Sequence, residues 1–167
     1  MKQLMIMPIA LATVFVIGGT ALAAGPVDQA FVAKVSQGGG FEVLASKMAV
    51  DKAVAQDVKD FATSEVHDHT FVGDKLKAIS AKEGVAIDGQ PNAEFKTKLD
   101  RLSGLSGSQF DSVYMSEMAA IHAKDGAAFA QEAREGESPA YRAFAAETHK
   151  IVLRHIGAIN GVAPPSR

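Results

Sequence analysis

The segment SEVHDHT, residues 64–70, places two acids and two histidines within five positions of a chain that has five histidines in all. Imidazole and carboxylate side chains bind transition metals and also transfer protons in acid–base chemistry. Glu65 and His69 are four residues apart, so on a helix they lie on one face, one turn from each other. That face is apolar across residues 58–79, whereas His67 points away from it. We therefore predict that Glu65 and His69 face the interior and that His67 faces solvent.

Each of the other helical segments also turns an acid or an imidazole toward the interior. Glu42 shares a face with apolar residues of the first segment, and His155 falls within the apolar stripe of the last one. Asp125 falls within the apolar arc of the third segment, and His122 lies at its margin. At about 1.5 Å per residue, all these side chains lie roughly 17 to 27 Å from the turns of the predicted hairpins. They are therefore predicted to meet at one level of the fold.

The elements that position these residues are helical. Four segments repeat apolar residues at helical spacing and none alternates as a strand does, which predicts an all-α fold. Two helical hairpins joined by a longer connection, 84–107, follow the plan of a four-helix bundle, and a short helix is predicted at about 92–102. Asp28 and Ser108 are candidate N-caps of the first and third long helices. The long helices are predicted at about 28–52, 56–83, 108–135 and 139–161.

A run of three glycines, 38–40, lies inside the first predicted helix. Each glycine in a helix interior costs about 1 kcal/mol relative to alanine. The run therefore predicts either a kink or a true break that would leave Phe31 on a separate short helix.

Residues 1–23 have the pattern of a cleavable secretory signal. A short basic start is followed by an apolar run over 4–17, two glycines and the small residues of 21–24. A membrane anchor is the alternative, but the apolar run is shorter than the roughly 20 residues that span a bilayer. We therefore predict an exported, periplasmic protein with a bundle domain at 26–161 and a flexible tail at 162–167.

The composition narrows the classes of function. The chain contains no cysteine, which excludes disulfides, thiolate metal sites and cysteine nucleophiles. Once Lys2 leaves with the signal, 16 basic residues stand against 19 acidic ones, a balance that does not favour nucleic acid or anionic lipid as a partner. After the signal, no apolar segment is long enough to span a membrane. No nucleophile–base pair, phosphate-binding loop or nucleotide fingerprint occurs, so the sequence favours a non-enzymatic function.

Inward ionisable residues on every long helix favour a metal site. An isolated buried carboxylate is costly unless it is paired or bound to a metal, and bundle cores are places where ligands from facing helices converge. We predict a single divalent transition metal, which could be zinc, copper, nickel or iron. Glu42 is either a further ligand or an acceptor for an imidazole N–H, and Glu65 and Asp125 either orient imidazoles or serve as alternative ligands. The predicted imidazole ligands are those of His69, His122 and His155.

Two other interpretations remain open. In one, the same polar residues only fix the packing of a structural or interaction bundle, as buried polar groups can. In the other, the site is a di-iron centre, which in such bundles uses Glu-x-x-His on two helices. The spacing from Glu65 to His69 is one residue longer than that motif, and Val152 stands where His155 would need its glutamate. The sequence therefore favours one ion over two.

Short stretches spread in order over the chain match one protein family: Phe31-Val32, Gly39-Gly40-x-Glu42-Val43, Val58-Lys59-x-Phe61-Ala62, Asp68-His69-Thr70, Ser106-Gly107-x-x-Phe110-Asp111-x-x-Tyr114, His122, Phe144-Ala145 and His155-Ile156. On these stretches the chain resembles domain of unknown function 4142, a group of exported bacterial proteins often labelled as outer-membrane proteins. The resemblance implies a ferritin-like four-helix bundle in the periplasm or envelope, associated with the outer membrane. It implies no activity.

The same resemblance marks five residues as characteristic of the family. They are Glu42, His69, Tyr114, His122 and His155, and all but Tyr114 also belong to the inward set. An envelope protein or a second copy of the chain is the partner that such a location allows.

Overall fold

The computed structural model of the protein describes residues 24–161. This part of the chain forms five α-helices and no β-strand, so the prediction of an all-α chain is confirmed. The predicted signal, 1–23, and the predicted tail, 162–167, lie outside the described residues. The helices are α1 (Pro26–Lys52), α2 (Gln56–Glu83), α3 (Ala93–Ser103), α4 (Gly107–Glu135) and α5 (Pro139–Gly161).

The four long helices pack as two hairpins. α1 packs against α2, and α4 packs against α5. The hairpins meet through contacts of α1 with α4 and of α2 with α5. The short helix α3 lies in the connection between the hairpins and contacts α1 and α4. Each long helix therefore packs against two others and turns one face to a shared interior.

The sequence suggests Asp28 as the N-cap of α1, and this prediction is wrong. The N-cap is Gly25, and Asp28 is the third residue of the helix. Its buried carboxylate accepts hydrogen bonds from the backbone N–H groups of Gly25 (3.1 Å), Glu137 (2.7 Å) and Ser138 (2.9 Å). Asp28 therefore ties the start of α1 to the turn between α4 and α5.

Asp111 has the same role for the other turn. Near the start of α4, its carboxylate accepts hydrogen bonds from the backbone N–H groups of Val54 (3.2 Å) and Ala55 (2.9 Å), which form the turn between α1 and α2. The N-cap of α4 is Ser106 rather than the predicted Ser108. Both caps were assigned from residue type, but the position of a cap depends on where the backbone turns.

The two hairpins share one residue register. The first helices of the hairpins end at Lys52 and Glu135, and the second helices begin at Gln56 and Pro139. Within each pair the two positions are 83 residues apart (135 minus 52, 139 minus 56). The two aspartates that hold the turns are separated by the same interval. One hairpin therefore repeats the other without insertion or deletion at the turn.

The triple glycine does not break α1, which runs without interruption through residues 38–40. A methyl group on Gly40 would lie 2.2 Å from the carbonyl oxygen of Gly89. The close approach of the connection after α2 therefore requires glycine at this position. No helix in the range 24–161 is long and apolar enough to cross a membrane.

Two apolar clusters fill the interior, one toward each end. The Tyr114 cluster is centred on Tyr114, whose hydroxyl is 2.8 Å from Ser46 Oγ, and the Tyr141 cluster on Tyr141, whose hydroxyl is 2.8 Å from Ser80 Oγ. Along α1, α2 and α4, residues of one cluster give way to residues of the other across a short polar stretch. That polar layer holds the buried ionisable residues Glu42, Glu65, His69, His122, Asp125 and His155.

Candidate metal centre

Four buried side chains from three helices converge in the polar layer. Glu65 and His69 lie one turn apart on α2, His122 comes from α4 and His155 from α5. One potential ligand atom from each lies within 4.8 Å of those of the other three. This group could hold a metal ion, because its donors are imidazole nitrogens and a carboxylate oxygen.

His122 and His155 each have one ring nitrogen held by an acceptor outside the group. His122 Nδ1 donates to the carbonyl oxygen of Met118 at 2.9 Å, which leaves the lone pair of the neutral ring on Nε2. His155 Nε2 forms a hydrogen bond with Asp68 Oδ2 at 2.7 Å. The inner nitrogens, His122 Nε2 and His155 Nδ1, lie 3.2 and 2.5 Å from Glu65 Oε1.

His69 has a similar arrangement of neighbours, although its contacts are ion-pair distances rather than hydrogen bonds. Its Nδ1 lies 3.1 Å from Glu42 Oε2, and its Nε2 lies 3.3 Å from Glu65 Oε2. All three imidazoles therefore have an outer nitrogen next to an acceptor and an inner nitrogen next to Glu65. Histidines that bind metals characteristically hold their second nitrogen this way, since the outer acceptor fixes the tautomer and the ring orientation.

The spacing of the inner atoms suits a small cation. Tetrahedral bonds of about 2.0–2.1 Å to zinc would separate ligand atoms by roughly 3.3 Å. His122 Nε2 and His155 Nδ1 are 3.2 Å apart, and two of the three nitrogens are 3.2 and 3.3 Å from Glu65 oxygens. Only the 2.5 Å contact between His155 and Glu65 is shorter than this geometry requires.

Several atoms of the layer are buried without a hydrogen-bond partner in residues 24–161. They are both carboxylate oxygens of Glu65, Nε2 of His69 and Oε1 of Glu42. The imidazole nitrogens lie close to Glu65, but their N–H groups form no hydrogen bond with its oxygens. Buried polar atoms are normally paired. The two oxygens of Glu65 and Nε2 of His69 are not, and a cation placed between them would give them a partner.

The charges of the layer depend on this convergence. Burial by itself would raise the pKa of Glu65, but the neighbouring imidazoles of His122, His155 and His69 hold that pKa far below its usual range. Burial would lower the pKa of His69, but the carboxylates of Glu42, Glu65 and Asp125 raise it to about 9. At neutral pH the group therefore carries an ionised carboxylate and, without a metal, a protonated His69 beside it.

Glu42 and Asp125 lie in the layer but outside the group of four. Glu42 contacts the outer nitrogen of His69, and its Oε1 is 3.5 Å from Nδ1 of His122. The Asp125 carboxylate is buried, and burial together with the nearby charge of Glu42 raises its pKa to about 7. A methyl group on Gly38 would lie 3.4 Å from Asp125 Oδ2. The carboxylate among the inner nitrogens is thus that of Glu65.

Sequence reasoning missed Asp68 and the carbonyl of Met118 as partners of the imidazoles. Asp68 is bonded to His155 and also to Arg154 Nη2 at 2.6 Å. The position of Asp68 directly before His69 could have drawn attention to it. Its contact with His155, however, depends on how α5 packs beside α2. The carbonyl of Met118 has no sequence signal, because every residue has one. His67 lies on the surface with its side chain 83% exposed.

Comparisons with known proteins identify a family and a fold. The model of one family, described as Domain of unknown function (DUF4142), matches residues 18–161. Among solved structures, the chain is similar to one described as "Crystal structure of DUF305 fragment from Deinococcus radiodurans". The identity is 14% and the TM-score 0.74, over 83% of this chain and 96% of that chain, so the similarity concerns the fold alone. No curated protein matches the chain.

Proposed function

Because this chain belongs to the DUF4142 family, whose description assigns no activity, we propose a function from the buried centre itself: the protein binds one transition-metal ion. The observation that carries the proposal is the arrangement of the three imidazoles. Each has its outer nitrogen beside an acceptor and its inner nitrogen beside Glu65, whose two oxygens have no hydrogen-bond partner in residues 24–161. A cation placed among them would bind the three inner nitrogens and one oxygen of Glu65.

The roles of the residues follow from their positions. The three inner nitrogens and one Glu65 oxygen are the ligands, so Glu65 takes the role of ligand rather than of an orienting group. Glu42 and Asp68 orient His69 and His155 through their outer nitrogens and raise the basicity of the rings. Three imidazoles and one carboxylate suit zinc, copper, nickel or iron(II), and no thiolate narrows the choice.

The setting of this function is also a proposal. The two packed hairpins support a ferritin-like bundle class. The signal pattern of residues 1–23 supports export to the periplasm or the outer membrane. There the ion would serve metal handling or protection against redox stress. N-terminal sequencing of exported protein tests the location, since a chain that retained Met1 in washed membranes would contradict it.

Metal titration of the purified protein tests the centre. Zinc, copper, nickel and iron(II) are titrated into untagged protein by calorimetry, and elemental analysis identifies what the protein carries after purification. Replacing His69, His122 or His155 by alanine should lower affinity by about 100-fold or more, because a site that loses one of three imidazoles loses much of its binding energy. Binding should also weaken as the pH falls, since protons compete for the same nitrogens.

Two histidines outside the layer provide matched controls. His67→Ala and His149→Ala remove an imidazole from α2 and α5 without touching the group of four, so affinity should stay within about twofold of the wild type. Equal affinity in all five variants would show that binding occurs elsewhere and would remove the proposal.

A structural bundle is the second candidate, and one observation favours it. With His69 protonated, the carboxylates of Glu42 and Glu65 already have a positive partner at 3.1 and 3.3 Å. Such a buried charge pair can specify one packing without a metal. On this account no metal binds, and each histidine substitution lowers the free energy of unfolding of the metal-free protein instead.

A further inference from the structure

A groove on the surface between α1 and α2 leads to the candidate centre. Its volume is about 600 Å³, and its walls are one face of each helix and the connection that follows α2. His69 lines this groove, and the other three residues of the centre do not. Glu65, His122 and His155 are each 2% exposed or less. The groove and the centre therefore meet at His69.

Two glycines in helix interiors line the same groove. Gly39 belongs to α1 and Gly73 to α2, where each costs about 0.5–1 kcal/mol relative to alanine. A methyl group on either would meet no heavy atom of the described residues within 4 Å, and neither glycine has a positive φ. Neither packing nor backbone conformation requires them. What these two glycines preserve is open space above His69.

Other helical glycines have a different explanation. Gly40 is required by the close approach of Gly89, and a methyl group on Gly126 would be in ordinary contact with Val152 and Ile156. Gly157 also has open space around it, but it is exposed and lies in the last turns of α5, away from the groove. Gly39 and Gly73 thus combine an interior helix position, an absence of packing constraint and a place beside the centre.

The register of the two hairpins supports the same conclusion. Position 39 in α1 corresponds to position 122 in α4, 83 residues later (122 minus 39). At the later position the side chain of His122 fills the interior, with no exposed surface. At the earlier position there is no side chain, and a methyl group there would meet no heavy atom of the described residues within 4 Å.

We propose that this groove is the path by which the metal ion reaches and leaves the centre. The proposal rests on the proposed function and adds the route of exchange to it. At the end of the path the carboxylates of Glu42 and Glu65 flank His69 at 3.1 and 3.3 Å. They favour a cation there, and His69 gives up its proton when the ion binds. At the mouth, Lys77 is paired with Asp74 at 3.3 Å, whereas Lys47 is exposed and opposes the approach of a cation.

Filling the groove should slow the entry and the release of the metal ion without changing the metal-free or the metal-bound protein. We compare wild type with Gly39→Leu, Gly73→Leu and the double variant, using metal-free protein, zinc and a chromophoric chelator in stopped flow. Association and dissociation should both slow by about tenfold or more in the double variant, with an unchanged dissociation constant. Gly157→Leu, which makes the same change outside the groove, should exchange zinc at the wild-type rates.

A charge substitution tests the path without filling it. Lys47→Glu should speed zinc association severalfold at low salt, and the gain should shrink at high salt because the interaction is screened. Lys82→Glu makes the same charge change on an exposed part of α2 away from the groove and should leave the rate as it is. The comparison of Lys47→Glu with Lys82→Glu also tests the path if a leucine variant does not fold.

The outcomes separate this proposal from the proposed function. If wild type binds zinc and neither the leucine variants nor Lys47→Glu change the rates, the path is wrong and the centre stands. If the leucine variants weaken affinity with unchanged association, the glycines shape the centre rather than a path, which also overturns the inference. Failure of wild type to bind any metal removes both proposals.

Discussion

The two hairpins repeat each other in register, yet they contribute differently to the centre. Some positions that hold the turns or fill the apolar clusters keep their residue type across the interval of 83, as Asp28 and Asp111, Phe61 and Phe144, and Ala62 and Ala145 do. The four residues of the candidate centre do not keep their type, since Glu65 corresponds to Thr148, His69 to Val152, His155 to Val72 and His122 to Gly39. Beside them, Glu42 and Asp125 correspond to each other and are both buried acids. The repeated residues serve packing, which both hairpins need equally. The four unmatched residues of the candidate centre form one group that could hold a metal ion, and the repeat does not produce a second copy of it.

The buried carboxylates show the same division. Asp28 and Asp111 accept hydrogen bonds from backbone amides of the turn they hold, so the protein alone satisfies them. Glu65 is buried as deeply, but its oxygens have imidazoles nearby and no hydrogen bond from the described part of the chain. A carboxylate that the fold already satisfies is a structural element, whereas one left unsatisfied among imidazoles is suited to a ligand.

Among the changes that compare the two hairpins, the largest effect is expected from removing the charge of Glu65. Glu65→Gln keeps the shape of the side chain but replaces an anionic ligand by a neutral amide, which should lower metal affinity by about 100-fold. Calorimetric titration measures the change. Thr148→Val, at the equivalent position of the second hairpin, should leave affinity as it is. Equal losses in both variants would show that the two hairpins do not differ in the way we describe.

A smaller effect is expected from the aspartates that hold the turns. Asp28→Asn and Asp111→Asn should each lower the free energy of unfolding by about 2 kcal/mol, because charge-assisted hydrogen bonds to buried backbone amides weaken. Each aspartate accepts hydrogen bonds from two amides of the opposite turn, so the losses should be similar, and metal affinity should change little. Denaturant unfolding of the metal-free protein measures both. Asp74→Asn, on an exposed aspartate of α2, should change stability by less than about 0.5 kcal/mol.

The smallest effect concerns Glu132, which has no acidic counterpart in the first hairpin, where Ala49 stands at the equivalent position. Burial, followed by the proximity of Asp28, raises the pKa of Glu132 from 4.5 to about 7. Between these values the folded protein binds more protons than the unfolded chain. The contribution of Glu132 to stability is therefore complete below pH 4.5 and is lost as the pH rises through 7.

Glu132→Gln removes this titration. At pH 8 the variant should be more stable than wild type by on the order of 1 kcal/mol, and the difference should vanish or reverse at pH 4.5. Thermal unfolding of the metal-free proteins across this range measures it. Glu135→Gln, an exposed neighbour on the same helix, should follow the wild-type profile. A wild-type profile for Glu132→Gln as well would mean that Glu132 is ionised in the fold without cost.

The sequence by itself determined the helical segments and the faces they turn inward. Apolar periodicity predicted the four long helices close to their observed bounds, and it directed Glu65 and His69 inward and His67 outward. The short helix was predicted apart from it, within the connection. These properties are local, because the angle and the height of a side chain on a helix depend only on residue spacing. The run of glycines was ambiguous for the opposite reason. Gly40 depends on a contact with Gly89, far away in the chain.

Only the tertiary structure decided which groups touch. Periodicity placed Glu42, Glu65 and Asp125 at one level, but it could not say which of them lies among the inner nitrogens. That depends on how α4 and α5 are rotated against α2 and on the side-chain rotamers that this packing selects. Helix packing also decides the contact of Asp68 with His155. The same is true of the hydrogen bonds by which Asp28 and Asp111 bind the backbone of the opposite turns. Each joins helices that are close only after the hairpins have packed.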